Sequence, residues 1–376
     1  MTSAFPRAKA PSSHKADHVD TRHGMTRHDE YAWMRADNWQ QVFKDPTVLA
    51  PEIRTHLEAE NAYSKKLMAD TTALQKTLFA EMKGRIKEDD SSVPMDDGPW
   101  SYGSSYVKGG QQPRYIRTPR DGGNAQLLLD GDKEAKGKPY FRIGGVDHSS
   151  DHKSLLWAYD DKGSEFFTVQ VRDLATGKDG ADIVENTTGD ATWDGKNEGF
   201  FYTRVDENHR PSKIFYHKIG TSAADDRLVY EEKDAGFFGG VGGTRRNDWI
   251  MISVNDHETS EYRLIDARKP LSKPKLVARR KSGLQYDLEE GGDVFFILTN
   301  ADGAKDFKIM TAPVSDPARE NWADLVPHEP GRLILSVLGF ADFLVRLERK
   351  DGLPRIVIRD RSSGEEHMIA FDEEAY

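Results

Sequence analysis

Serine and cysteine side chains are the common nucleophiles of hydrolytic enzymes. The 376 residues of this chain contain no Cys, which excludes disulfides, thiolate metal sites and cysteine nucleophiles. The Gly-x-Ser-x-Gly turn, which exposes a hydrolase serine between a strand and a helix, does not occur. The nearest segment, Gly103-Ser104-Ser105, lies in a predicted strand or turn. The motifs therefore supply no catalytic residue, and substrate-binding residues stay unknown at this stage.

Two further segments resemble functional loops only in composition. Gly239-Gly240-Val241-Gly242-Gly243 is glycine-rich, but it lacks the following helix and the Lys-Ser/Thr pair of a phosphate-binding loop. We interpret it as a flexible turn between two groups of strands. Glu231-Glu232-Lys233-Asp234 is interpreted as a charged turn. No cofactor is predicted.

The histidines and carboxylates do not have the spacing of metal ligands. Four histidines near the N-terminus are separated by four, five and five residues: His14, His18, His23 and His28. No helix is predicted there that would align them, so we interpret them as part of a solvated tail. His257-Glu258 lacks the second histidine of a zinc helix and is interpreted as a hairpin turn. Glu88-Asp89-Asp90 lacks EF-hand spacing and is interpreted as a solvated linker. Carboxylate pairs for glycoside hydrolysis stay open, because a propeller can assemble them from distant positions.

Composition narrows the classes of partner. The net charge is −10, from 53 basic and 63 acidic residues, which argues against nucleic-acid binding. Residues 1–90 carry 14 of each sign, so the remainder, with 39 basic and 49 acidic residues, holds the whole surplus. That surplus is either a solubility feature or an acidic cavity for cationic ligands. No apolar stretch reaches membrane-spanning length, and residues 1–7 have no apolar core of a signal peptide, so we predict a cytoplasmic protein.

The elements that would position a site change character near residue 88. Residues 1–50 are polar and predict an irregular arm. From Pro51 to about Ile86, apolar residues recur at helical spacing with a break near Ala69-Asp70-Thr71: Ile53, Leu57, Tyr63, Leu67, Leu74, Leu78 and Met82. Nothing in the arm is large enough to cover this stripe. We therefore divide the chain into an N-terminal arm and helical segment (1–87) and a β-rich region (88–376).

The β-rich region repeats. Short β-branched and aromatic runs are joined by turns such as Asp160-Asp161-Lys162-Gly163 and Ala301-Asp302-Gly303. The strongest runs centre near Tyr106, Leu155, Phe200, Ile250, Phe295 and Phe343, at intervals of 49, 45, 50, 45 and 48 residues. Each interval holds about four runs; in the third group they lie near 192–193, 200–203, 214–216 and 228–230. This period predicts a β-propeller of about six blades, although a pair of β-sandwiches could mimic it. The last strand, 367–371, runs almost to Tyr376, so the chain stops where another strand or blade is expected.

Several separated segments resemble one family of enzymes. Asp29-Glu30-Tyr31-Ala32-Trp33-Met34-Arg35, followed by Leu57-Glu58-Ala59-Glu60-Asn61-Ala62-Tyr63, resembles the N-terminal signature of the prolyl oligopeptidase family of serine peptidases. Three later segments are similar to the oligopeptidase B (protease II) group of that family: Ile219-Gly220-Thr221 with residues 226–234, residues 260–267, and residues 369–376. The resemblance extends over nearly the whole chain from about residue 20.

The resemblance implies a two-part enzyme. In the family a seven-bladed propeller caps an α/β-hydrolase domain in the same chain, and the helical N-terminal segment packs on that hydrolase. Oligopeptidase B cleaves short peptides after Arg or Lys, and its propeller keeps folded proteins out. Short basic peptides are thus the expected ligands, with no nucleic-acid or membrane partner.

The sequence departs from the family in one large respect. The family's Ser-Asp-His triad and its specificity carboxylates follow the propeller, and none has a counterpart here. We therefore carry over no catalytic residue and expect this polypeptide alone, without the α/β-hydrolase domain, to be inactive and prone to aggregate. The alternative is a stand-alone propeller that binds basic peptides or caps a separate hydrolase chain.

Overall fold

The protein is described by a computed structural model that covers residues 8–373. The chain divides into two compact units, residues 1–142 with 160–165, and residues 143–159 with 166–376. No helix in the described part is long and apolar enough to cross a membrane. Residues 1–7, on which the cytoplasmic prediction rests, and the last three residues of the 369–376 segment lie outside the described range.

The first unit contains the helices and one four-stranded sheet. The arm forms a hairpin of β1 (Val19–Arg22) and β2 (Met25–His28), then the short helix α1 (Trp39–Lys44), so the prediction of a wholly irregular arm is wrong. Helices α2 (Pro51–Leu67) and α3 (Thr72–Gly84) are separated by a 3-10 turn at Ala69–Thr71, where the break was predicted. Pro51 begins α2 at a position where its missing N–H has no intrahelical partner to lose.

The sheet of the first unit, which we call blade 1, is an antiparallel meander. Its strands are β3 (Met95–Asp97), β4 (Trp100–Ser105), β5 (Arg114–Pro119) and β6 (Gln126–Asp130), paired in chain order. The five-residue helix α4 (Gly131–Ala135) follows, and the Asp130 side chain caps it by accepting from Lys133 N–H. The Gly103-Ser104-Ser105 segment lies in β4, which confirms that it is not a nucleophile turn.

The second unit consists of five more four-stranded groups, blades 2 to 6. Blades 2 and 3 form one seven-stranded sheet because they share β10, which pairs with β9 from Lys178 to Thr187 and with β11 from Thr187 to Trp193. The strands of these two blades are β7 (Arg142–His148), β8 (Ser154–Asp160), β9 (Phe167–Asp173), β10 (Lys178–Trp193), β11 (Gly199–Val205), β12 (Pro211–Lys218) and β13 (Arg227–Glu231).

Blades 4, 5 and 6 are separate meanders of four strands each. Blade 4 has β14 (Phe238–Gly243), β15 (Trp249–Asn255), β16 (Ser260–Asp266) and β17 (Lys275–Leu276). Blade 5 has β18 (Tyr286–Glu290), β19 (Val294–Thr299), β20 (Lys308–Pro313) and β21 (Ala323–Val326). Blade 6 has β22 (Arg332–Gly339), β23 (Phe343–Lys350), β24 (Leu353–Asp360) and β25 (Glu366–Met368). The last strand is thus shorter than the predicted 367–371.

The predicted repeat corresponds to the spacing between the second strands of successive blades. The six predicted centres fall on or, for Tyr106, one residue beyond β4, β8, β11, β15, β19 and β23. All four runs predicted for the third group coincide with strands of blade 3. In the central blades these strands carry fully buried side chains: Phe200, Ile250 and Phe295 are at most 1% exposed.

Consecutive blades of the second unit pack face to face through apolar clusters. Phe201 and Ile214 of blade 3 pack with Ile250 and Ile252 of blade 4. Blades 4 and 5 meet around Tyr286 and Phe295, and blades 5 and 6 around Phe296 and Ile334. A row of small sheets, each packed on the next, is propeller packing and not that of a β-sandwich.

The glycine-rich segment is an element that sequence reasoning assigned wrongly. It forms β14, the first strand of blade 4, and pairs with β15 along its whole length. Glycine is required by close approach: a Cβ on Gly243 would lie 2.9 Å from Thr192 Oγ1, and one on Gly239 3.2 Å from Ile214 Cδ1. The glycines therefore let blade 3 pack directly against the backbone of β14.

Candidate docking surfaces

The apolar stripe of α2 and α3 is largely uncovered. Of the seven stripe residues, Ile53 is buried, Tyr63 and Leu67 are half-buried, and the others are exposed: Leu57, Leu74, Leu78 and Met82. Phe79 and Ile86 extend the same apolar region and are 65% and 67% exposed. A patch of this kind on a protein surface marks an interaction site or an aggregation hazard. We call the exposed apolar residues of this region the helical patch: Leu57, Leu74, Leu78, Phe79, Met82 and Ile86.

Trp33, from the first piece of the N-terminal signature, lies beside the first turns of α2. The Trp33 ring stacks on His14 at a centroid distance of 4.4 Å and meets His56 edge-on at 5.6 Å. The Trp33 indole N–H donates to the His14 carbonyl over 3.1 Å. These contacts hold the arm against the first turns of α2, so the signature residues have a packing role in this unit.

A serine–histidine pair occurs in the same place but is not a catalytic triad. Ser13 Oγ lies 3.3 Å from His56 Nε2. The nearest acid, Glu60, approaches the same Nε2 atom at 3.8 Å, whereas a triad needs its acid on the other ring nitrogen to orient the base. The pair therefore lacks the arrangement that activates a nucleophile.

Blade 6 has one covered and one open face. Ile334, Val337 and Leu344 are buried in the cluster shared with blade 5. Their neighbours with the opposite orientation along β22 and β23 are exposed: Leu335, Leu338 and Phe343, between 38% and 43%. Because strand side chains alternate between faces, a blade that is apolar on both faces is built to be covered on both. We call the second face the open face of blade 6.

Glu232 contradicts the prediction that residues 231–234 form only a charged surface turn. It is 6% exposed and accepts hydrogen bonds from Arg280 Nη2 at 2.5 Å, Tyr230 Oη at 2.8 Å and the Asp234 N–H at 2.8 Å. Arg280 also lies over the Phe237 ring at 4.1 Å and 3.5 Å from Glu261 Oε2. This cluster ties the end of blade 3 to blade 4 and to the segment that leads into blade 5.

The surroundings of Glu232 lower its pKa. Burial opposes its ionisation, but hydrogen bonds from Arg280, Asp234 and Tyr230 outweigh burial and hold the pKa below its ordinary value of 4.5. The segments that carry the family resemblance therefore include a buried ion pair with a structural role.

His217 is the centre of a second buried polar cluster that sequence reasoning missed. Its ring is fully buried, with Nδ1 2.7 Å from Asp226 Oδ1 and Nε2 3.1 Å from Asp182 Oδ1. Tyr202 donates to Asp226 Oδ2 over 2.7 Å. The cluster fixes the turn before β13 onto β10, because Asp226 precedes β13 and Asp182 lies in β10. A lone histidine in an alternating strand gave no signal of this role.

The other predicted segments have mixed outcomes: the histidine-bearing tail is partly a β-hairpin, and His14 stacks on Trp33. His257-Glu258 forms the turn between β15 and β16. His18, His23 and His28 lie in or beside the β1–β2 hairpin, and none belongs to a cluster of three metal-ligating side chains within the part of the chain that the structure describes. Glu88 accepts from Gly109 N–H over 3.1 Å, and Asp89 and Asp90 are exposed.

Comparison with known proteins shows which family the chain resembles. Residues 11–376 match the family described as "Prolyl oligopeptidase, N-terminal beta-propeller domain". The chain is 33% identical to a dipeptidyl aminopeptidase BI of Pseudoxanthomonas mexicana, covering 100% of this chain and 53% of that protein. It is 29% identical to protease 2 of Moraxella lacunata, covering 98% and 52%.

The solved structures give the same fold. Oligopeptidase B from Leishmania major matches with a TM-score of 0.87 and 26% identity, over 98% of this chain and 54% of that one. The enzyme from Trypanosoma brucei matches with a TM-score of 0.85 and 27% identity, over 97% and 54%. The chain thus spans about half the length of the relatives it matches, and the propeller prediction is confirmed.

Proposed function

Since the chain belongs to the prolyl oligopeptidase family, as its N-terminal propeller portion, we propose that it is the gating part of an oligopeptidase B-like serine peptidase. The proposed enzyme cleaves short peptides after Arg or Lys in the cytoplasm. In this proposal the propeller admits peptides and excludes folded proteins, while an α/β-hydrolase domain supplies the nucleophile, base and oxyanion hole. The relatives, about twice as long, carry that domain in the same chain.

The observation that carries the proposal is the uncovered apolar surface. The helical patch and the open face of blade 6 have the patterning of buried elements but are exposed in this chain. Exposed apolar surface of this extent is unfavourable in water. We assign the hydrolase domain as the cover of the helical patch and a further blade as the cover of the open face.

A second part of the proposal is that the 376-residue polypeptide does not hydrolyse peptides by itself. Peptide-bond hydrolysis by a serine enzyme needs the nucleophile, its base and the orienting acid together. In the described residues the Ser13–His56 pair lacks the acid on its second nitrogen. The specificity for basic side chains is supported by the acidic surplus of residues 91–376.

The test is reconstitution. The 376-residue chain is assayed with a fluorogenic peptide amide ending in Arg, alone and after co-expression with the unmatched C-terminal half of Moraxella protease 2. We expect no turnover by the chain alone and Arg-directed turnover by the pair. Replacing Phe79 and Ile86 by Lys should abolish the restored turnover, because charges in the helical patch prevent docking. Lysines at Thr77 and Ala80, which are exposed and neutral, add the same charge and serve as the matched control.

Three outcomes contradict parts of the proposal. Inhibitor-sensitive turnover by the pure chain would remove the claim of inactivity. Release of dipeptides from free N-termini, without preference for Arg, would favour the activity named for the Pseudoxanthomonas relative. A stable, monodisperse monomer of 42.4 kDa that ignores the added half would favour the stand-alone binding module.

A further inference from the structure

A large cavity lies beside the outermost strand of blade 4. Its volume is about 950 Å³, and it is bounded by the connection from β17 to β18, the β19–β20 turn and the short helical turn before β21. Its buried floor is apolar: Val277, Ala278 and Ala301. The size is at the upper end of ligand-binding pockets, and all of its walls belong to the second unit.

Part of the charge in the cavity wall is internally neutralised. Asp302 receives Lys308 Nζ at 3.1 Å and Arg319 Nη2 at 2.8 Å, and Lys308 also contacts Asp324 at 2.8 Å. These two cations and two carboxylates form a balanced set. The pKa of Asp302 is held below its ordinary value, chiefly by the hydrogen bond from Lys308, so this set is unavailable as a proton donor to a ligand at neutral pH.

The rest of the wall has an excess of positive charge. Arg279, Lys281 and Lys305 line the cavity, and their side chains have no hydrogen-bond or ion-pair partner among residues 8–373. The lining contains one other carboxylate, Glu320. The local charge is thus opposite in sign to the net charge of −10 of the whole chain, and the three cationic side chains around the apolar floor are not ion-paired within residues 8–373.

We propose that this cavity binds an acidic peptide segment, one that carries Asp or Glu side chains next to apolar ones. Carboxylates would pair with Arg279, Lys281 and Lys305 at the rim, and an apolar side chain would cover the floor formed by Val277 and Ala301. A small inorganic anion would leave most of the volume and the whole floor unused. The proposal is independent of the peptidase activity proposed above.

The experiment measures binding of a fluorescein-labelled peptide of alternating Glu and Leu to the 376-residue chain by anisotropy. We expect saturable binding that weakens as ionic strength rises. The triple variant Arg279→Gln, Lys281→Gln, Lys305→Gln should bind at least about tenfold more weakly, because three exposed ion pairs together are worth roughly that factor. All three residues are exposed, so circular dichroism should be unchanged.

The matched control removes the same charge elsewhere. Lys196, Lys233 and Lys273 are exposed lysines outside the cavity, and their triple Gln variant should retain the affinity. Equal loss in the control would reduce the effect to net charge and overturn the site. Equal binding of a Gln–Leu peptide, or displacement of the Glu–Leu peptide by low concentrations of inorganic phosphate, would overturn the assignment of the ligand. If the cavity variant loses its circular dichroism signal, Lys305→Gln alone decides, with an expected loss of about twofold to threefold.

Discussion

The helical segment and the central blades both have clear apolar periodicity, but the helical segment leaves most of its apolar side chains exposed, whereas blades 3 to 5 bury theirs. Phe295 in β19 is fully buried, whereas Phe79 in α3 is 65% exposed. Periodicity determines which element forms, since a helix or strand segregates its apolar side chains. It does not determine whether the covering surface lies in the same polypeptide. Burial therefore separates apolar residues that hold this chain together from apolar residues that the chain leaves exposed.

The largest difference in stability is expected when one phenylalanine in each region is replaced by alanine. We expect Phe295→Ala to lower the free energy of unfolding by about 3–5 kcal/mol, since it removes a fully buried ring and leaves a cavity. The Trp249 and Phe295 ring centroids are 6.4 Å apart, so denaturant unfolding can be followed by tryptophan fluorescence. The control, Phe79→Ala, should change stability by no more than about 0.5 kcal/mol. Similar losses in the two variants would erase the distinction between the regions.

The next test concerns the charged cluster between blades. Glu232→Gln keeps the shape of the side chain but removes the charge that pairs with Arg280, and we expect a loss of about 2 kcal/mol at neutral pH. A carboxylate with a lowered pKa stabilises the fold fully above its ordinary value of 4.5, and the contribution fades as pH falls through the lower, folded-state value. Unfolding curves for both proteins should therefore differ at pH 7 and converge in strong acid. A difference that persists unchanged in strong acid would point to shape and not to charge.

Substitutions in the helical patch should change the stability of the chain little but change its self-association more. Phe79→Lys with Ile86→Lys should leave the unfolding midpoint nearly unchanged, because both side chains are already exposed. Self-association measured by light scattering should fall, since two apolar contacts become charged. Lysines at Thr77 and Ala80, two exposed positions of α3 outside the helical patch, add the same charge. If both pairs reduce association equally, net charge and not the patch is responsible.

The sequence was most informative where one local rule dominates. The break between α2 and α3 and the second strand of every blade follow from spacing alone, because turns and doubly paired strands leave strong local patterns. The glycine run was assigned wrongly, since its role in β14 depends on contacts with Thr192 and Ile214 from the neighbouring blade. Glu232 is paired with Arg280, 48 positions away, and His217 with Asp182, 35 positions away, and spacing cannot reveal such partners. The cavity beside blade 4 likewise exists only once the β17–β18 connection is folded next to blade 5.

Glu232 and Glu290 are equally buried, but their pKa values are shifted in opposite directions. Glu290, like Glu232, is 6% exposed, but its Oε2 has no hydrogen-bond partner among the described residues, and Arg246 Nε comes no nearer to Oε1 than 3.9 Å. Burial raises the pKa of Glu290 above its ordinary value of 4.5 and outweighs the hydrogen bond from Thr244, with the charge of Asp248 acting in the same direction as burial.

Glu290→Gln should consequently cause a small gain in stability at neutral pH, where Glu232→Gln causes a loss. An acid with a raised pKa destabilises the fold above its folded-state value, and the penalty disappears as pH falls to the ordinary value. The gain should therefore vanish between neutral pH and about pH 4.5, whereas the loss in Glu232→Gln persists through that range and fades only below it. Thermal unfolding of the two variants across pH 4 to 7 separates the cases: a loss of stability in Glu290→Gln at neutral pH would mean that Arg246 pairs with this carboxylate more strongly than a separation of 3.9 Å implies.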